Sequence, residues 1–589
     1  MSGFRRAIAA VIALITAIAL TGCSFDQLRV QAAQVPTLVL SSLSDPKTFN
    51  TVVSQEQSEV FGLIEEGLIS QNGITGEIEP ALAESWQFSA DKKTITYTLR
   101  PGLKWSDGEP LTVDDVVFTY NDVYLNENIP SDARDVLRIG REGKFPSVKK
   151  LDQRRVEFTI PEPFAPFLRI TGIGILPEHI LRSAVTTKDS KGRVKFIAMW
   201  GVDTNPAEIV VPGPFMIESY TTGQRVILRR NPYYWRRDQQ GNALPYIQRI
   251  VLQIVENLDT QLLQFRSGGL DEVDVSPSYF SLLKAEEKRD RFTIYDGGPA
   301  LTQSFISFNL NKGRRQNGQP LVNPIKSAWF NNLAFRRAIA HAIDRQQMLN
   351  NIYQGLGEPQ NSTIAIQSPY YLSPQQGLKV YDYDPKRAKE LLQAAGFQYN
   401  SRQQLLDAEG NRVRFTLITN AGNKIREAMG AQIKLDLAQI GIQVDFNPIA
   451  FNTLVEKITA GLDWECYLLG FAGGGIEPNG GANTWLPNGG LHAFNLKPRP
   501  GQPPLIGRVV SDWEQQIGEL YIRGAQELDE TKRKAIYAEA QQLIQENLPM
   551  IYLINPLALQ AVRDRIQGVQ FSALGGALWN IYELKLAAD

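Results

Sequence analysis

At 589 residues the chain is too long for one small domain and long enough to bury a large core divided among two or three. Its 61 Lys and Arg balance 62 Asp and Glu with no long run of either sign, which argues against nucleic acid as a partner. Apolar residues at 43% and charged ones at 21% are ordinary globular proportions and argue against extended disorder.

The first residues carry an export signal. Arg5 and Arg6 precede the apolar run from Ala7 to Leu20, which is too short for a comfortable membrane span. The run ends in Leu20-Thr21-Gly22-Cys23, which resembles the lipobox of bacterial lipoproteins. Residues 1–22 are therefore expected to be cleaved, leaving a lipid on Cys23 and a polar tether over residues 23–35 that holds the body at a membrane. The other cysteine, Cys466, then has no partner for an internal disulfide and reads as a small buried hydrophobe.

A strand is expected from Thr37 to Leu40, broken at Asp45-Pro46. Helical spacing follows at Val60, Leu63, Ile64 and Leu68, and strand alternation runs from Ile95 to Leu99. Ser106-Asp107-Gly108 is turn chemistry, after which Thr112 and Asp115 have the spacing of a capping box. Val113, Val116, Val117 and Tyr120 then mark one buried helical face. The adjacent Asp114 and Asp115 could also be read as an acid and base pair, but neighbours on a helix point about 100° apart and the capping role accounts for them.

Further strands are expected over residues 147–160, and Gly172-Ile173-Gly174 lacks the third glycine of a dinucleotide loop. Tyr233, Tyr234 and Trp235 could stack a ligand or fill a domain corner, and the corner is the expected role. A helix is expected from Leu262 to Gly268, and another carries Phe335, Ala338, Ile339, Ala342 and Ile343 on one face. Asp384-Pro385 opens a third with a cap and a proline at its first position. Phe415 to Thr419, Lys424 to Gln439 and Ile442 to Phe446 form a β-α-β unit, the unit of parallel sheets with ligand crevices at the strand ends.

The next stretch, Gly470 to Trp485, is the loop most informative for function. Six glycines strip it of side chains, so its backbone can approach another molecule closely, with Phe471 and Trp485 as apolar faces and Asn483 and Glu477 as polar ends. The lysine of a phosphate-cradling loop is missing. Helices are expected from Glu514 to Gln545, then an apolar strand from Leu548 to Pro556 and a closing strand at Gln567 to Phe571.

Several segments, in order, resemble one family. They are E-G-L-I-S, P-A-L-A-E-S-W at Pro80 to Trp86, G-L-K-W-S-D-G-E-P-L-T-V-D-D-V-V-F-T-Y at Gly102 to Tyr120, R-N-P-Y-Y-W ending at Trp235, and the helices opening at Leu333 and Asp384. The wording is similar to that of the extracellular solute-binding proteins that serve peptide, dipeptide and nickel ABC importers. The resemblance covers roughly residues 37–575.

It implies an α/β, two-lobed periplasmic-binding-protein fold (type II, cluster C-like) with an additional inserted subdomain. The first lobe would comprise residues 36–62, 207–300 and 548–589, the subdomain 63–206 and the second lobe 301–547. The implied ligand contacts are Phe471, Ala472, Gly473, Gly474, Asn483 and Trp485, with Asn309 and Asn555 near the hinge. Peptide-binding relatives place an aspartate, which pairs the ligand's amino terminus, where this chain has Gly474, so free-amine recognition would need Glu477 instead. The expected role is capture of an extracytoplasmic solute, an oligopeptide first and a sugar, opine or metal chelate otherwise, by a monomer that needs no cofactor or metal and docks on ABC permease subunits. The rivals are a secreted lipoprotein hydrolase, against which stand three scattered histidines at 179, 341 and 492, and a receptor or chaperone without transport.

Overall fold

The computed structural model describes residues 36–54, 58–140, 142–471, 475–498 and 502–587, so Cys23 and the export signal lie outside the described residues. The first sheet orders Thr37–Ser42, Arg249–Ile254, Arg225–Arg230 and Phe215–Thr221, with the first pair parallel. Alternation explains its placement: Leu38 and Leu40 are buried while their neighbours reach the other face.

A second sheet orders Ala83–Phe88, Thr94–Leu99, Arg155–Thr159 and Ser147–Lys150, all antiparallel. Against it packs the helix Val113–Phe118, whose start is the expected capping box. Thr112 N donates to Asp115 Oδ2 at 2.7 Å, and Thr112 Oγ1 accepts from Asp114 N at 3.2 Å. Asp115 Oδ1 also accepts from Glu178 N at 2.9 Å, so the same carboxylate anchors the next helix, Glu178–Thr186.

The third sheet has five strands in the order Gln443–Ile449, Arg414–Asn420, Cys466–Phe471, Gln303–Phe308 and Met550–Tyr552. The first three are mutually parallel, with the helix Lys424–Gln439 as the crossover, as the β-α-β pattern requires. Cys466 is buried in this sheet, and its thiol is free. A fourth sheet sets Ile554–Arg563 between Glu272–Asp274 and Phe292–Pro299.

Two neighbouring crossings join the third and fourth sheets. Phe292–Pro299 runs on into Gln303–Phe308, and Met550–Tyr552 runs on into Ile554–Arg563. Both leave from the edge that holds the C-terminal ends of the parallel strands, because Gln303 is level with Phe471 and Leu553 N donates to Ser304 O at 2.9 Å. That edge therefore faces the other lobe. The apolar core follows the same division, with separate clusters around Tyr97 and Phe158, around Phe305 and Phe330, and around Phe265 and Phe292.

Some local expectations change. The helical spacing from Val60 to Leu68 produces only Phe61–Ile64, because Gly67 is pressed against the backbone of Gly172: a Cβ there would lie 2.3 Å from Gly172 O. The expected closing strand is limited to Ile566–Gln567, paired with Lys585–Leu586. The aromatic trio fills a corner, with Tyr234 buried and Trp235 between the guanidinium groups of Arg100 and Arg236 at 4.0 and 4.7 Å.

Candidate functional site

The strand-end edge of the five-stranded sheet is built from short-range pattern. Apolar alternation sets Arg414–Asn420, Gln443–Ile449 and Cys466–Phe471 side by side. Phe471 is half-buried, paired with Gln303, and its ring lies 5.1 Å from that of Phe305. Ala472, Gly473 and Gly474 lie outside the described residues. The loop resumes at Gly475, whose φ of +76° only glycine adopts without strain.

The loop then meets the segment expected to form the inserted subdomain, across the crevice. Ile476 rests on Gly76, where an added Cβ would lie 2.3 Å from Ile476 Cδ1 and 3.3 Å from Leu574 Cδ2. Gly76 O accepts from Arg169 Nη2 at 3.2 Å, and Ile476 O accepts from Ser368 Oγ at 2.6 Å. A second bridge lies nearby: Ala165 N donates to Ala525 O at 2.7 Å and Gln526 Nε2 to Glu162 Oε1 at 2.8 Å. The two sides of the crevice thus touch directly.

Behind Ile476, Glu477 takes a two-pronged ion pair from Arg533 at 2.5 and 3.0 Å, with both side chains mostly buried. Arg533 also donates to Gly524 O and Tyr370 Oη, each at 2.7 Å. Burial alone would lower the pKa of this guanidinium, but the charge and hydrogen bonds of Glu477 outweigh it and raise it.

Carboxylates collect on one face of the fourth sheet. Gln560 Nε2 donates to Glu272 Oε1 at 2.9 Å and to Asp274 Oδ1 at 2.8 Å. Desolvation, reinforced by Asp274 and Glu59, pushes Glu272 up to about 8, and desolvation raises Asp274 as well. Glu272 is half-buried and Asp274 exposed.

Two neighbouring crossings thus join the sheets, and the ends of the parallel strands lie on the edge from which they leave. The family model described as "Bacterial extracellular solute-binding proteins, family 5 Middle" matches residues 77–492. The chain belongs to this family. A "Probable ABC transporter-binding protein" of Deinococcus radiodurans is 32% identical over 550 residues, covering 90% of this chain and 88% of that protein. The oligopeptide-binding protein AppA of Bacillus subtilis, solved with a nonapeptide, superposes with a TM-score of 0.71 over 94% of this chain and 99% of its own at 22% identity. The periplasmic binding protein MelB of Agrobacterium fabrum, solved with stachyose, gives 0.73 over 94% of this chain and 85% of its own, also at 22% identity. The fold is accordingly the type II binding-protein fold of family 5.

In this solute-binding protein the residues expected at the ligand separate. Trp485 is a core residue: it is 1% exposed, its Nε1 donates to Thr363 Oγ1 at 3.2 Å, and its ring stacks 6.3 Å from Tyr521. Asn309 is also internal, at the far end of its strand, with Nδ2 donating to Leu462 O and Trp464 O and Oδ1 accepting from Asn311 N. Asn483 is exposed and closes its own loop by accepting from Gly490 N at 2.8 Å.

Asn555 stands just after the second crossing, paired with Glu358, and its buried Oδ1 has no hydrogen-bond partner among the described residues. Phe471 is thus the described residue of that set on the crevice edge. Ile476, Gly76, Arg169 and Arg533, which the sequence reading did not single out, are brought to the crevice by contacts between distant segments.

The acid and base reading of Asp114 and Asp115 has no support in the geometry. Asp115 caps its helix, Asp114 pairs with Lys150 at 2.6 Å, and the open depression of about 550 Å³ beside them is lined by paired groups such as His179, 2.8 Å from Asp107. His492 is held in the core between Thr484 O and Glu514.

Proposed function

We propose that this protein captures an oligopeptide outside the cytoplasm, in the crevice between its lobes, and delivers it to the permease of an ABC importer. The observation that supports the reading is the Ile476 to Gly76 contact beside the strand ends, where the loop that would lie along a ligand meets a segment from the other side of the crevice. A solute that touches both sides favours the closed form by its differential affinity, and that closed form is what a permease distinguishes. The nonapeptide held by AppA supports a peptide as the solute.

In this reading the first lobe comprises residues 36–62, 207–300 and 548–589, the inserted subdomain 63–206 and the second lobe 301–547. A lipid on Cys23 would hold the monomer at a membrane while the lobes remain free to move. Binding rather than catalysis is its work. One observation favours a second ligand class: Glu477 is committed to Arg533 and is not free to pair a peptide amine. An oligosaccharide such as the stachyose held by MelB is that alternative.

Native mass spectrometry of residues 24–589, purified gently and then denatured, tests both. Released masses that fragment as amino acids support the peptide assignment. Sugar or chelate masses replace it while keeping the binding role. Hydrolysis of an added peptide by the pure protein would overturn the binding role itself.

A further inference from the structure

We infer that the end of the five-stranded sheet far from the crevice carries a docking face for an anionic lipid bilayer, formed where residues 310–321 pack against residues 502–511 and present Lys312, Arg314 and Lys497 beside Ile506 and Val509. The inference goes beyond solute capture and rests only on the protein working outside the cytoplasm at a membrane.

The charge of the face is set by sequence. No Asp or Glu lies between Asp296 and Asp344 or between Glu477 and Asp512, although the whole chain has 62 of them. Those two segments meet here. Arg314 N donates to Ile506 O at 2.8 Å, Ile506 N to Arg314 O at 2.9 Å, and Gln316 Nε2 to Pro504 O at 2.7 Å. Asn311 Nδ2 donates to Leu496 O at 2.9 Å, next to Lys497. Packing thus joins two acid-free segments into one cationic surface.

Its cations are unanswered. Lys312, Arg314 and Lys497 are exposed and form no ion pair among the described residues, and the Arg314 side chain reaches only Gly318 O of its own turn, at 3.4 Å. The acids nearby are held by other cations, Glu465 by Lys326 at 2.7 Å and Asp463 by Lys457 at 2.8 Å. Arg315 and Arg508 serve the scaffold instead, donating to Gly461 O and Asn495 O.

Two exposed apolar side chains accompany the charge. Ile506 is 52% and Val509 53% exposed, and Gly507 between them has a φ of +72°. Basic residues beside protruding apolar ones suit a headgroup layer, which attracts cations at its surface and takes apolar side chains just below it. The net charge of -1 gives the chain as a whole no attraction to such a surface, so the face itself must supply it. A tether of residues 23–35 spans at most about 45 Å, which would keep the body beside the bilayer that holds Cys23.

The test is co-sedimentation of residues 24–589, without added solute, with vesicles of phosphatidylcholine alone and with vesicles holding about one-third phosphatidylglycerol. Wild type is expected to bind the anionic vesicles about tenfold more tightly or better at about 0.05 M salt, and to lose that preference at about 0.5 M. Lys312→Glu, Arg314→Glu and Lys497→Glu combined should reduce binding to the level of neutral vesicles with thermal unfolding unchanged. Lys312→Gln with Lys497→Gln, a milder change that alters no bond between the loops, should weaken it about fivefold or more. Reversal to Glu at Lys92, Lys191 and Lys386, exposed elsewhere, should leave most of it.

Equal binding to both vesicles, anionic binding that survives in both variants of the face, or equal loss in the reversal elsewhere overturns the proposal. Displacement by about 10 mM inorganic phosphate, but not by chloride of the same ionic strength, would make the face a phosphate site and overturn the bilayer as its partner.

Discussion

Ile476 rests on the bare backbone of Gly76, a residue 400 positions away in the chain on the opposite side of the crevice. A Cβ on Gly76 would stand 2.3 Å from Ile476 Cδ1, and Gly76 has a φ of +73°. The absence of a side chain at Gly76 thus sets the limit of this approach. Ile476→Ala removes apolar contact worth about 1 kcal/mol and is expected to weaken ligand retention about fivefold without changing the unfolding midpoint. Gly76→Ala places a Cβ at a positive φ and against Ile476 Cδ1, so it should weaken retention further, and Ile476→Ala should recover only the part due to that contact. Small-angle scattering with and without ligand measures the closed fraction, and equal closure in all the variants would refute the limit.

The ion pair behind Ile476 has a larger structural effect. Glu477→Gln leaves Arg533, whose side chain is 6% exposed, without its counter-charge in a mostly buried site. Loss of about 3–5 kcal/mol is expected in urea unfolding, and much less when Arg533→Met accompanies it. If Glu477 instead pairs a ligand amine, Glu477→Gln will lower retention of amine-bearing peptides with little effect on stability.

The carboxylate pair at Glu272 and Asp274 makes stability depend on pH. Its pKa, pushed up to about 8 by burial and by Asp274 and Glu59, exceeds the ordinary glutamate value of 4.5. The native state therefore holds its proton more tightly than the unfolded chain does. The resulting stabilisation is complete below pH 4.5 and is lost as pH rises towards 8. Glu272→Gln is expected to gain stability relative to wild type between pH 5 and pH 8, read from melting midpoints. A constant difference across that range would argue against the raised value.

Asp115 and Asp114 should respond differently to substitution. Asp115→Ala removes acceptors used by Thr112 N and Glu178 N and is expected to cost about 1–2 kcal/mol. Asp114→Asn removes an exposed pair with Lys150 and should cost less than about 1 kcal/mol. Equal costs, or loss of ligand retention with either, would reopen a functional reading of the pair.

By itself the sequence determined what depends on neighbours a few residues apart. The caps at Thr112 and Asp384 were legible because a side chain and the amide it serves lie within one turn. The β-α-β unit from Arg414 to Ile449 was legible because its hydrophobic periods are local, and the ordered motifs pointed to the family.

Only the tertiary structure decided the membership of the crevice. Trp485 and Asn309 carry the same residue types a binding site would use, and packing alone turned them into the core. Glu477 and Arg533 are separated by 56 positions, and nothing in either local pattern announces the other. Close approaches such as Ile476 on Gly76 arise where two chain segments are brought together by the hinge, and periodicity within a segment carries no record of what will face it.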